Sequence, residues 1–336
     1  MNCDFLIIGS GIVGLSLALE IKKSYNKSKV LIVEKEKSYS LHQPGHNSGV
    51  IHSGVYYKPN SLKANNCIRG YNQLINFCKK NNIKYKITGK LIAARNTDEE
   101  EILFKLLERG KANGLKNLQI LNSKKIKKYE SELNVKHALH VPQTGVVDYK
   151  EVSKAIIKNF KNLGGLVKYN FEVSEIENSY IKSKKGERIN FGSNLIIVGG
   201  LQSDRLYNKI DSENKLKIIP FRGEYFKLKS KYSFVKGLVY PCPDIRFPFL
   251  GLHFTRDIHN NIEIGPNALL SFSREKYKNK FSFHFKDFKE SLSFIGLYKL
   301  IFTNLNFAKQ EIERSLFKNV LTNEINSYFP KIKLND

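Results

Sequence analysis

The chain is short of cysteine, of acidic residues and of long apolar runs, and each shortage closes off a class of protein. Its four cysteines, Cys3, Cys67, Cys78 and Cys242, form no C-x-x-C pair and no spacing that would hold a metal such as zinc. With 336 residues and 41% hydrophobic composition the chain can bury its own core without disulfide staples. The thiols are therefore expected to be reduced, in a cytoplasmic setting. No apolar stretch reaches the ~20 residues of a membrane-spanning helix. The first apolar run, Phe5 to Ile8, is too short for the core of a signal peptide and follows no basic segment. Any membrane contact is expected to be peripheral, at the inner face. The acid shortage is the largest of the three: Lys+Arg 56 against Asp+Glu 31 gives a net charge of +25. Such a balance suits nucleic acid, an anionic membrane or acidic substrates. No aromatic RNA-binding signature accompanies it, so no nucleic-acid role is expected. Lys, Asn and Ile recur in polar and apolar segments alike, so the charge reads first as compositional bias.

Local patterns give the organisation. Residues 4–9 (DFLIIG) read as a buried strand stopped by glycine, and residues 29–34 (KVLIVE) as a second. Between them Ile12, Leu15 and Leu19 share one helical face, which makes the βαβ start of a parallel sheet. Residues 61–82 carry Ile68, Tyr71, Ile75 and Cys78 at helical spacing. A further helix is expected to open at Thr97 with Glu100 in a capping box and to end near Gly110 or Gly114. Asp148 and Glu151 begin another, ended by Gly164-Gly165. A strand at 166–173, a hairpin around Lys185-Gly186 and the apolar strand Leu195–Val198 follow, returning the chain to its first sheet. After Pro220 the strands 221–228, 247–255 and 261–265 suggest an antiparallel sheet, with a turn at His259-Asn260-Asn261. Helical spacing runs from about residue 285 nearly to the end. The expected fold is α/β: a Rossmann-like dinucleotide domain from 1–85 and 141–215, with a second α+β substrate domain on an antiparallel sheet from 86–140 and 216–336.

The first chemistry-bearing motif is Gly9, Gly11 and Gly14, a G-x-G-x-x-G directly after a strand. The first glycine permits the tight turn, the second lets backbone approach a pyrophosphate, and the third lets helix and strand pack closely. Glu34 closes the second strand, where an acid can bind ribose hydroxyls. The motif and acid alone do not separate NAD from FAD.

Residues 42–57, HQPGHNSGVIHSGVYY, are dense in Gly, His, Ser and Asn, poor core material that suits backbone passing close to a flat cofactor. Here the chain resembles the D-amino-acid-oxidase-like FAD oxidoreductases, and within them the L-2-hydroxyglutarate oxidase/dehydrogenase family. The resemblance continues through YKPNSLKA (57–64), TGVVDY (144–149), PFRGEY (220–225), YPCPDIRFPFLGLHFT (240–255) and IGPNALLSF (264–272). It implies FAD as cofactor, with Ser48 and Gly49 along the pyrophosphate and ribityl chain and His52 and Tyr57 near the flavin ring. It places the Val173 backbone at the adenine and the Gly199-Gly200 doublet close to the nucleotide. It implies oxidation of L-2-hydroxyglutarate to 2-oxoglutarate by hydride transfer to flavin, with oxygen or a membrane quinone as final acceptor.

Such a substrate needs a base for its hydroxyl proton and cationic groups for two carboxylates. Histidine and arginine suit these roles. His52 is the first candidate base and His253 the second. Arg222 and Arg246 are the carboxylate candidates, Tyr57 and Tyr240 candidate hydrogen-bond donors, and His42 and His46 braces of the loop. Each also has a purely structural reading: a hydrogen-bonded histidine in a packed sheet, an ion-paired arginine, a packed tyrosine. The family's fold is normally closed by a glycine-rich C-terminal segment, and no second Gly-rich stretch follows Gly296 before the chain ends in NSYFPKIKLND. The resemblance therefore leaves three alternatives: a competent 2-hydroxy acid oxidoreductase, another member of the superfamily acting on an amino acid or glycerol 3-phosphate, or a catalytically incomplete remnant or subunit.

Overall fold

The computed structural model describes residues 2–213, 216–243, 251–275, 277 and 282–333. Its contacts divide the chain into two units, Met1–Asn47 with Tyr149–Pro220 and Ser271–Leu297, and Ser48–Asp148 with Phe221–Leu270 and Tyr298–Asp336.

The first unit is built on the expected βαβ start. Strand Asn2–Ile8 pairs in parallel with Val30–Val33, which pairs in parallel with Leu166–Lys168. On its other side Asn2–Ile8 pairs in parallel with Arg188–Ile197, so the chain does return to its first sheet. Two antiparallel strands, Tyr180–Ser183 and Val173–Ile176, complete the six. Both faces of a parallel sheet must be covered, and Leu6, Ile7, Leu31, Ile32 and Val33 are accordingly almost inaccessible. Helix Ile12–Ser24 buries Leu15, Ala18 and Leu19 and packs against helix Tyr149–Asn162. The strand expected at 166–173 is instead two, because Asn170 takes a left-handed φ of 56° and the Asn170 and Phe171 amides turn to donate to the carbonyls of Glu36 and Glu34.

The second unit carries a seven-stranded sheet in the order Phe226–Lys227, Ile262–Gly265, His253–Arg256, Leu238–Pro241, Lys90–Ala94, His137–Val141, Gln119–Asn122. Every pairing is antiparallel except Leu238–Pro241 on Lys90–Ala94. Side chains alternate across a strand. One face sends Leu91, Ala93, Val239, Phe254, Ile262 and Ile264 into a core closed by Leu321, Ile325, Tyr328 and Phe329 of the C-terminal helix. The opposite face carries Ile92 and Ala94 under helix Thr97–Ala112, and Leu238 and Tyr240 beside Val50 and Val146.

Expectation and structure differ at further places, among them the strand expected at 221–228, which is two, Phe221–Arg222 paired with Leu269–Leu270 and Phe226–Lys227 paired with Ile262–Gly265. Residues 48–85 and 141–148 both belong to the second unit: Val50–Ile51 and Tyr85–Ile87 pair with Gly145–Val147, and Val50 and Val146 pack with Leu238 and Tyr240. Residues 271–297 belong to the first because Arg274 and Asp287 are ion-paired there with Asp204 and Arg205. The cap of helix Thr97–Ala112 is Asn96, whose side chain accepts from the Glu99 amide, one residue earlier than the sequence suggests.

Candidate functional site

In the first unit the glycine motif forms a sharp turn between strand and helix. Gly9 has φ of 113°, and a Cβ there would stand 2.4 Å from the Val198 carbonyl oxygen. A Cβ on Gly14 would stand 2.1 Å from the Gly9 carbonyl oxygen. These two glycines are required by packing. Gly11 is different: a Cβ on it would meet nothing within 4 Å. It opens helix Ile12–Ser24, which has no side-chain cap and no acid in its first turn. The N–H groups at this end, with the positive end of the helix dipole, are free to receive phosphate. Glu34, 8% exposed, accepts at Oε2 from the Ser10 amide (2.8 Å) and hydroxyl (2.7 Å), and at Oε1 from the Glu36 amide (3.0 Å). It braces the turn while closing the second strand. Gly199 and Gly200, the latter at φ of 56°, begin the short 3-10 turn beyond the strand that flanks Gly9. Val173, buried, begins the strand Val173–Ile176. The residues present fit a bound dinucleotide phosphate: close glycine packing, open space at Gly11 and an uncapped helix end.

His42 and His46 lie in the same unit, and both meet Tyr277. His46 stacks on its ring at 4.1 Å, and His42 Nδ1 lies 3.2 Å from its hydroxyl. Glu36, His42 and Glu275 bring three metal-type ligand atoms together, but the Lys35 ammonium already pairs with both carboxylates.

The second unit gathers a different cluster. Tyr240 and His253 stand side by side on neighbouring strands, their rings stacked at 4.1 Å and 10°. Tyr225 meets His253 edge-on at 6.5 Å. Lys90, which opens its strand, directs its ammonium over the rings of Tyr56 (4.2 Å) and Tyr240 (4.9 Å). Tyr56 is held by helix Thr97–Ala112: Arg109 donates to the Tyr56 carbonyl, and Asn113 to those of Gly54 and Tyr57. His52 is near enough to Lys90 and His253 to feel both electrostatically.

Burial sets the charge states of this cluster. It pulls the His253 pKa down to about 3 and that of His52 to about 4, each helped by the Lys90 charge. It pulls Lys90 down to about 7 and pushes Tyr56 and Tyr240 well up. Both histidines are therefore neutral at pH 7. His253 Nδ1 faces the Gly251 carbonyl at 3.3 Å, so it is the nitrogen that carries the proton, and Nε2 keeps its lone pair. Among the described residues that Nε2 has no hydrogen-bond partner, and neither do the buried hydroxyls of Tyr56 and Tyr240. Buried polar atoms are normally satisfied. Three such atoms in one cluster make it the candidate site for a polar ligand.

The structure thus joins His52, His253 and Tyr240 from the sequence candidates. It leaves Tyr57 at the surface, 36% exposed, with its neighbour Tyr56 facing the cluster. Arg222 pairs with Glu224 at 3.1 Å, an acid that also accepts from Asn267 and Ser315, while its buried Nε has no partner among the described residues. Arg246 lies outside the described residues. Gly49 has φ of 68° and its carbonyl accepts from the Val147 amide, with half-buried Ser48 before it. Lys90 and Tyr56 were not legible as site residues. The one available signal was a lysine heading an apolar strand, KLIAA, after Gly89.

Residues 4–330 match the family model described as FAD dependent oxidoreductase. Among curated proteins, the L-2-hydroxyglutarate dehydrogenase of Indibacter alkaliphilus is 43% identical over 100% of this chain and 85% of its own length. The mitochondrial L-2-hydroxyglutarate dehydrogenase of Homo sapiens is 38% identical over 99% of the chain and 75% of its own. That of Escherichia coli K12 is 38% identical over 99% and 79%. Among solved structures, the L-alpha-glycerophosphate oxidase of Mycoplasma pneumoniae, determined with FAD bound, superposes with a TM-score of 0.76 at 21% identity, over 100% of this chain and 80% of that one. At that identity the likeness is one of fold.

Proposed function

Because this chain belongs to the FAD-dependent oxidoreductase family, among its L-2-hydroxyglutarate dehydrogenases, we propose that it oxidises L-2-hydroxyglutarate to 2-oxoglutarate. The observation that carries this reading is identity of 38–43% over essentially the whole chain with dehydrogenases of that name. FAD is the cofactor, and when bound its flavin supplies the acceptor for the hydride leaving the substrate carbon.

The chain's own residues divide the remaining work. The Gly9–Gly14 turn and the uncapped helix end hold the diphosphate, with Glu34 beside the ribose. Ser48, Gly49, Val173, Gly199 and Gly200 are assigned to the rest of the dinucleotide. The hydroxyl proton goes to His253 Nε2, a neutral acceptor whose tautomer is set by the Gly251 carbonyl. His52 stands beside it as a second neutral imidazole. The Tyr240 and Tyr56 hydroxyls, otherwise unpartnered among the described residues, orient the substrate oxygens. The Arg222–Glu224 pair supports a bracing role for Arg222.

Reoxidation by oxygen or by a membrane quinone completes the cycle, and the net charge of +25 supports contact with an anionic membrane face. Among the described residues no helix is long and apolar enough to cross a membrane. The test is to load the purified chain with FAD and add L-2-hydroxyglutarate without oxygen. The yellow flavin should bleach with the L enantiomer and stay oxidised with the D enantiomer, glycerol 3-phosphate or amino acids. Bleaching by one of the others alone would overturn the assignment. Readmitting oxygen or adding a quinone analogue then identifies the acceptor.

A further inference from the structure

Lys90 is 2% exposed at the head of strand Lys90–Ala94. A buried ammonium is normally offset by a carboxylate or several carbonyls. Among the described residues Lys90 has no such partner; its ammonium meets only the faces of Tyr56 and Tyr240. Cation–π contact offsets only part of the cost of burying an ammonium. Among the described residues the groups that face it add no negative charge. They are the His52 and His253 imidazoles, the Cys67 thiol and the two phenols; burial holds the imidazoles neutral and raises the thiol and phenols. Around this cation stand the Tyr56 and Tyr240 hydroxyls and His253 Nε2, which have no hydrogen-bond partner among the described residues. A fixed cation ringed by free polar atoms is preorganised for an anion that also presents hydrogen-bonding oxygens.

We propose that Lys90 is a substrate-binding residue whose ammonium receives a carboxylate of the 2-hydroxy dicarboxylate, with the Tyr56 and Tyr240 hydroxyls as neighbouring donors. This rests on the dehydrogenase reading above and names the group that recognises the substrate's charge. It also explains why a lysine, costly to bury, stands in a strand that is otherwise Leu-Ile-Ala-Ala.

The experiment compares FAD-loaded wild type, Lys90→Met and Lys90→Arg with L-2-hydroxyglutarate from about pH 6 to 9. Losing a charge-assisted contact should raise KM about 10- to 100-fold in Lys90→Met, with a smaller change in kcat. Lys90→Arg should keep most of the affinity. The wild-type kcat/KM should fall as pH rises through about 7, because the cation that binds the carboxylate is being lost. In Lys90→Arg, which stays charged, that fall should vanish. A folded, flavin-loaded Lys90→Met with wild-type KM, or a Lys90→Arg profile that keeps the fall, overturns the proposal. If Lys90→Met does not fold, the Lys90→Arg profile decides alone. If the wild type does not reduce its flavin with L-2-hydroxyglutarate, the dehydrogenase reading has failed instead. Calorimetric binding of glutarate, an inert dicarboxylate, to wild type and Lys90→Arg across the same pH range then judges Lys90 separately. Wild-type affinity that falls above about pH 7 while that of Lys90→Arg does not supports it, and parallel profiles overturn it.

Discussion

The two glycines at the start of helix Ile12–Ser24 should fail in opposite ways when each is given a methyl group. In Gly14→Ala the new Cβ would lie 2.1 Å from the Gly9 carbonyl oxygen, a backbone atom that no side-chain rotation can move away. Helix and turn must separate by about 1 Å, and overpacking of this kind costs about 3 kcal/mol. Alanine recovers ~1 kcal/mol of helix propensity. The net loss of about 2 kcal/mol corresponds to a Tm lower by roughly 4–8 °C for a unit of this size. In Gly11→Ala the methyl enters space where no protein atom lies within 4 Å, at a backbone φ of −66° that alanine adopts freely. Its stability should stay within about 0.5 kcal/mol of wild type. If that space receives the cofactor pyrophosphate, as proposed, FAD affinity should fall at least ~10-fold. Thermal melts of the apoproteins and quenching of FAD fluorescence on titration read the two effects separately. A Gly11→Ala variant that binds FAD like wild type, or a Gly14→Ala variant that melts like it, would refute this division of labour.

Three further outcomes are expected. His253→Gln removes the Nε2 acceptor and should slow anaerobic flavin reduction by about 10²–10⁴ while leaving glutarate binding intact; a loss under ~10-fold would put the base elsewhere. Arg274→Met should destabilise the protein by about 3–5 kcal/mol in denaturant titration, since it strands buried Asp204 without the guanidinium that pairs with it; the double variant Arg274→Met/Asp204→Leu should recover most of that, and no recovery would contradict the ion-pair account. Glu130, buried behind the amides of Lys236 and Gly237, has its pKa raised to about 7 by desolvation. Between about pH 4.5 and 7 the native state keeps a proton that the unfolded chain has released, so Glu130 costs stability as pH rises through that window. Glu130→Gln should remove this slope in paired denaturation curves, and parallel curves at pH 5 and 8 would show that the group is not perturbed.

Much of the fold was written locally. The strand–glycine–helix–strand–acid order of residues 2–34 can be read without any partner, because buried parallel strands must be apolar throughout and the turn needs glycine at fixed places. The helices were legible in their spacing, and the long similarity strings carried the cofactor and substrate class. Unit boundaries were less so. Residues 48–85 and 141–148 read as parts of the first domain, yet the strands they form together pack with Leu238 and Tyr240, a meeting of distant segments that no local pattern announces.

The site divides along the same line. His253 and Tyr240 could be picked out by residue type and context, since histidine and tyrosine are what proton transfer and oxyanion contact require. Their roles could not. His253 acquires a defined tautomer only because the fold sets Nδ1 against the Gly251 carbonyl, and its neutrality comes from burial. Tyr56 and Tyr57 are equivalent on paper; helix Thr97–Ala112 fixes the loop so that the first faces Lys90 and the second faces solvent. Lys90 itself is one of many lysines in a basic chain until the sheet strips its water and leaves it without a counter-charge among the described residues. The sequence by itself determined the dinucleotide turn and the kind of chemistry. Which cation and which nitrogen are proposed to do the work rests on tertiary structure, because desolvation and the company a group keeps are properties of packing.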